Sequence, residues 1–169
     1  KFNKFCKDSS FDFNSALIKS IVSFKFSVSS PAALNLPNWA GAQFVTPLSI
    51  AALSEEKVYQ DLFSLKDETE MGHIQLSRKN DLILVAPASA NIIAHVAAGI
   101  ANDLATTIIL AANKPVLFAP SMNVEMWNNS ITKNNVQFLK NNNYKFVGPE
   151  PGDLACGEEG NGRMSEPEN

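Results

Sequence analysis

The sequence predicts an α/β protein built as a doubly wound parallel sheet in a single domain, and three observations lead there. Short apolar runs that read as buried strands, LILVAP (82–87) and VLFAP (116–120), alternate with longer stretches of helical period. Such alternation gives parallel strands joined by right-handed crossovers. The chain has 169 residues and is 45% hydrophobic, enough for one domain with a full core, since domains run to roughly 100–200 residues.

The first forty residues are the least regular. FDFNSALIKSIVSFKFSVSS (11–30) mixes strand-like and helix-like periods, and Pro31, Pro37 and Trp39 break any regular element in the ten residues after it. No glycine precedes Gly41, so the glycine-rich phosphate turn that commonly opens a nucleotide-binding sheet is not visible there. In AQFVTPLSIAALS (42–54), Phe44 and Val45 read as a strand end or turn, Thr46 as an N-cap and Pro47 as a first helical residue, where the missing N–H costs nothing. The segment 54–72 is polar with a weak apolar period, and HIQLSRKND (73–81) reads as a short helix. After the LILVAP strand, the alanine-rich stretch 90–113 is apolar on most faces and forms one or two deeply packed helices. VLFAP is the next strand. The segment 124–143 then reads as a helix with Val136, Phe138 and Leu139 inward, and YKFVG (144–148) as a short strand. The tail 148–169, carrying five glycines and three prolines, is not expected to hold a helix or an ordinary strand. Leu154, Cys156, Arg163 and Met164 are poor choices for a solvated linker and point to a lid rather than a loose end.

Charge and composition exclude several functions. A net charge of −3 and a pI near 5.4 leave no basic footprint for nucleic acid or an anionic membrane. No run approaches the roughly 18 apolar residues of a membrane span, no secretory leader is visible, and no metal is expected. Cys6 and Cys156, far apart, read as free thiols of a reducing, cytoplasmic compartment. A small molecule or a protein remains as partner.

In open α/β sheets, ligands sit beyond the carboxyl ends of the strands. Pro87 and Pro120 should stop neighbouring strands at one rim, followed by Ser89, Asn91, Ser121 and Asn123 at helix N-termini, where backbone N–H groups favour a polar or anionic ligand. Each of these side chains reads equally as a plain helix cap.

MGHIQL (71–76), APASAN (86–91), AGIANDLATTI (98–108), APSMNVEMW (119–127) and ACGEEGNGRMSEP (155–167), in this order and at these intervals, resemble the flavin-containing cysteine decarboxylases. Within them the likeness is to the phosphopantothenoylcysteine decarboxylase branch of coenzyme A biosynthesis, and it spans about residues 41–167. The resemblance implies a Rossmann-like, flavodoxin-like sheet, FMN as cofactor, and a homotrimer or a dodecamer of trimers. It further implies oxidation of the thiol-bearing carbon of phosphopantothenoylcysteine to a thioaldehyde, loss of CO2 to an enethiolate, and return of the hydride.

By the same resemblance His73 is the catalytic histidine, Asn123 the amide that binds the substrate carboxylate, and Cys156 the thiol that protonates the intermediate from a flap at 148–169. Ser89, Ala90, Asn91, Ile92, Ser121, Phe44 and Asp103 fall to the flavin, and Met126, Ala155 and Gly157 to the substrate, with Trp127 as a candidate wall of the site. His95 matches no functional position and reads as structural or as a subunit contact. The sequence departs from the pattern in residues 1–40, where the phosphate turn is missing, and at Ser121, where alanine is usual. Two other readings stay open: a peptidyl-cysteine decarboxylase, and a non-catalytic flavin-binding regulator.

Overall fold

The computed structural model describes residues 34–35, 46–54, 58–59, 78, 80–154 and 157–166. Phe44, His73, Ala155, Cys156 and the helix expected over 73–81 lie outside that set, apart from Arg78, Asn80 and Asp81. The described elements are β1 (Leu34–Asn35), α1 (Pro47–Ser54), β2 (Val58–Tyr59), β3 (Ile83–Ala88), α2 (Ala90–Ala97) and α3 (Leu104–Leu110). They continue with β4 (Val116–Pro120), α4 (Val124–Asn128), α5 (Ser130–Asn141), β5 (Lys145–Phe146), β6 (Glu150–Asp153) and β7 (Glu159–Arg163).

Strands β3, β4 and β5 form a parallel sheet in that order, with helices in each connection, as the alternation predicts. A second parallel pair joins β1 to β2. β2 lies in the polar stretch 54–72, too short for a periodicity reading to find. In β4, the successive residues Phe118 and Ala119 are both buried. Neighbouring strand residues point to opposite faces, so both faces of this strand are covered, as a doubly wound sheet requires.

The core is built across that strand. Ile93 and Val96 of α2, Ile109 of α3 and Val136 and Leu139 of α5 close around Val116 and Phe118. The Phe118 ring stacks on Phe146 at 5.1 Å and meets Tyr144 edge-on at 5.9 Å, which ties β5 to the centre of the sheet. Desolvation there raises the Tyr144 phenol above its ordinary pKa. Leu104 and Ile108 form a second cluster with Tyr59 and Ile83.

Local signals explain the element boundaries. Thr46 caps α1, its Oγ1 accepting from the Ser49 amide at 3.2 Å, and Pro47 occupies the first helical position. The alanine-rich stretch divides into α2 and α3 at Gly99, whose φ of +70° favours glycine. Asp103 restarts the chain with a capping box, its Oδ1 accepting from the Thr106 amide at 2.8 Å.

Four expectations are corrected. β3 does not stop at Pro87 but continues to Ala88, which pairs with Pro120. The single helix expected over 124–143 is two, because Asn129 leaves the helical region at ψ 132° and caps α5. Phe138 is 52% exposed rather than inward; the buried stripe of α5 is Thr132, Val136 and Leu139, spaced four and three apart, and Phe138 lies about 100° off Leu139. The glycine-rich tail does hold strands: β6 and β7 pair as an antiparallel hairpin with Gly152 opposite Gly160.

Among the described residues no helix is long and apolar enough to cross a membrane. Phe118→Ala should cost about 3–5 kcal/mol, because its fully buried ring joins β4 to β5. Urea unfolding followed by circular dichroism measures this, and a loss below about 1 kcal/mol would contradict the packing described.

Candidate active site

The parallel register brings two strand ends together. Ala88 of β3 lies beside Pro120 of β4, and the Ser121 amide donates to the Ala88 carbonyl at 3.1 Å. Ser89 and Ser121 therefore leave the sheet next to each other. Ser89 caps α2, its Oγ accepting from the Ile92 amide at 3.4 Å and its carbonyl from the Ile93 amide at 3.2 Å. Asn91 is exposed in the first turn, while Ile92 packs against the core.

Asn123 caps α4 in a way that fixes its amide. Oδ1 accepts from the Met126 amide at 3.1 Å, so Nδ2 is turned away from the helix as a donor. That donor meets the Glu158 carboxylate, Nδ2 to Oε2 at 2.6 Å. The flip state follows from the cap, because an exchanged amide would set N–H against N–H at Met126.

Glu158 comes from the hairpin, which is fastened to the same segment by its backbone. The Met122 amide donates to the Gly162 carbonyl at 3.0 Å. A β-carbon on Gly162 would collide with the Met122 carbonyl, and one on Gly160 would stand 3.0 Å from Cγ2 of Val124. The glycines of the tail permit this approach. Beyond β6 the chain turns at the tip, where the Leu154 amide donates to the Glu158 carbonyl at 2.8 Å and the Gly157 amide to the Leu154 carbonyl at 2.9 Å. At the base, Arg163 is paired with Glu166.

The Flavoprotein family pattern matches residues 18–169, nearly the whole chain. This chain belongs to the Flavoprotein family. A coenzyme A biosynthesis bifunctional protein CoaBC of Haemophilus influenzae is 48% identical over 129 residues, which cover 76% of this chain and 32% of that protein. The chain thus spans about a third of the length of the curated relatives it matches. Among solved structures, a PPC decarboxylase mutant complexed with pantothenoylaminoethenethiol superposes with a TM-score of 0.76 at 29% identity, over 89% of this chain and 87% of that one. The FMN binding protein AtHal3 gives 0.73 at 30% identity, over 89% and 85%.

In this Flavoprotein-family chain the structure gathers Ser89, Ala90, Asn91 and Ser121 at one sheet edge, and joins Asn123 to the turn that contains Gly157. Met126 and Trp127 come next on α4; Met126 is 49% exposed and Trp127 packs against the core cluster, with Lys133 Nζ 4.0 Å from the ring centroid. Asp103 is placed differently. Its carboxylate is engaged by Thr106 at the start of α3, and among the described residues no hydrogen bond links it to the rim. Sequence reasoning missed Glu158, Met122 and Gly162. Only Gly162 carried a usable signal, since a glycine between an asparagine and an arginine in a strand marks a close backbone approach.

The donor set fits a flavin in one respect. Ser89, Asn91 and Ser121 offer neutral hydroxyl and amide groups, suited to the uncharged polar edge of an isoalloxazine and to ribityl hydroxyls. Residues 36–45, which precede α1, are outside the described set.

Gly162→Ala should detach β7 from Met122, raising hydrogen exchange at the Met122 amide by about tenfold. Unchanged exchange there would mean that the hairpin is not held at this point.

Proposed function

We propose that this chain is a single FMN-dependent decarboxylase domain that converts 4′-phospho-N-pantothenoylcysteine to 4′-phosphopantetheine in coenzyme A biosynthesis. The observation that carries the reading is the Asn123 amide. Its carbonyl is committed to the helix cap, its N–H group faces outward, and it already holds a carboxylate at 2.6 Å. The similarity to CoaBC proteins and to a PPC decarboxylase supports the same chemistry.

A neutral amide suits a carboxylate that must leave. A fixed lysine or arginine charge would favour the bound carboxylate over departing CO2, whereas hydrogen bonding orients the group without that penalty. FMN, when bound, supplies a reversible two-electron sink for the thiol-bearing carbon. Ser89, Ala90, Asn91, Ile92 and Ser121, with Phe44, are the residues proposed to hold it, and Asp103 serves the assembly around it. Met126 together with Ala155 and Gly157 would bound the substrate.

His73 would take or share the proton at the reacting cysteine end, a role for which imidazole is suited near neutral pH. Cys156, between Leu154 and Gly157 in the sequence, would return a proton to carbon when the flap excludes water. The protein would act in the cytoplasm as a homo-oligomer, trimer or dodecamer.

The purified protein should be yellow from oxidised flavin, and mass spectrometry should register loss of CO2 from the phosphorylated cysteine substrate. A colourless, inactive protein would refute the reading. Asn123→Ala should lower kcat/KM by about 10- to 100-fold. His73→Asn should abolish CO2 release, while Cys156→Ser should still oxidise substrate but stall before the final reduction; full turnover in both variants would contradict their assigned roles.

A further inference from the structure

The decarboxylase reading gives no role to Glu158, although it belongs to the site. It sits at the hairpin tip, and its carboxylate accepts a hydrogen bond from the Nδ2 amide of Asn123, 35 residues away in sequence. Arg163 is paired with Glu166, and among the described residues no ion pair is formed by Glu158. Glu159 comes directly after it, making this tip anionic.

We propose that Glu158 is a positioning residue that stands in for the substrate carboxylate on Asn123 when no substrate is bound, and that the two carboxylates exchange at that amide. The proposal rests on the reading of Asn123 as the substrate's carboxylate anchor. Both groups have the same charge and the same acceptor geometry, and Oδ1 of the amide is already held by the Met126 amide. An arriving carboxylate therefore meets either an occupied donor or, on the second hydrogen of Nδ2, a like charge at close range. The substrate must release Glu158 to bind well.

Release of Glu158 acts on a defined piece of chain. Glu158 closes the turn that begins at Leu154, since the Leu154 amide donates to its carbonyl at 2.8 Å. Gly162, by contrast, is held to Met122 through backbone alone. Exchange at Asn123 thus releases the Glu158 side chain while the stem stays attached. Once CO2 has left, the ligand has no carboxylate, and Glu158 regains its partner. The side chain would discriminate between a ligand before and after the reaction.

The test is a comparison of two ligands. Affinities of wild type, Glu158→Gln and Glu158→Ala for 4′-phospho-N-pantothenoylcysteine and for its decarboxylated product are measured by calorimetry on the protein as purified, alongside KM and kcat. If Glu158 competes with the substrate carboxylate, both variants bind the substrate about three- to tenfold tighter with KM lowered in step. Product affinity changes by less than about twofold. A hairpin that Glu158 merely braces gives the opposite sign, with substrate affinity falling or both ligands weakening together, and that result overturns the proposal. Equal affinities in all three proteins overturn it too, while wild-type turnover leaves the decarboxylase reading standing. Absence of binding and CO2 release in wild type sinks both.

Discussion

A single backbone contact, the Met122 amide against the Gly162 carbonyl, sets the arrangement of the whole rim. It requires two chains to approach more closely than any side chain allows, and Gly162 satisfies that requirement because a β-carbon would strike the Met122 carbonyl. Met122 is in turn fixed by its neighbour, since Ser121 donates to Ala88 and thereby inherits the register of the parallel sheet. The position of the hairpin tip is thus referred back, through three consecutive residues, to the packing of Phe118 in the core.

That chain of dependence explains what could be read from residue order. Strands β3 and β4 were legible because they are apolar runs that end at a proline or one residue past it, and the helix starts at Pro47 and Ser89 because their caps are local in sequence. The amide and hydroxyl groups just past β3 and β4 were legible for the same reason. Topology places the ends of parallel strands on one edge, so any polar residue just after them is a candidate for ligand contact.

The rest depends on distant contacts. The hairpin has poor intrinsic strand propensity, with glycine opposite glycine, and exists because it docks on α4 and on the segment before it. Nothing in the letters E-G-N-G-R reveals a partner about forty residues upstream. Phe138 was misplaced because its identity is apolar although its angle on α5 is not inward; the stripe through Thr132, Val136 and Leu139 decides the buried face. Asp103 shows a further limit, for a motif match does not reveal that the matched carboxylate also caps a helix.

The cap on α4 has a further meaning for the evolution of the site. One side chain both begins a helix and presents a donor to the hairpin, so the helix start and that contact cannot be varied independently. Serine or threonine would preserve the turn but lose the outward N–H, and glutamine would keep the amide but reach past the turn. A scaffold that joins a helix cap to a distant tertiary contact in one side chain resists drift at that position, because a substitution there disturbs both at once.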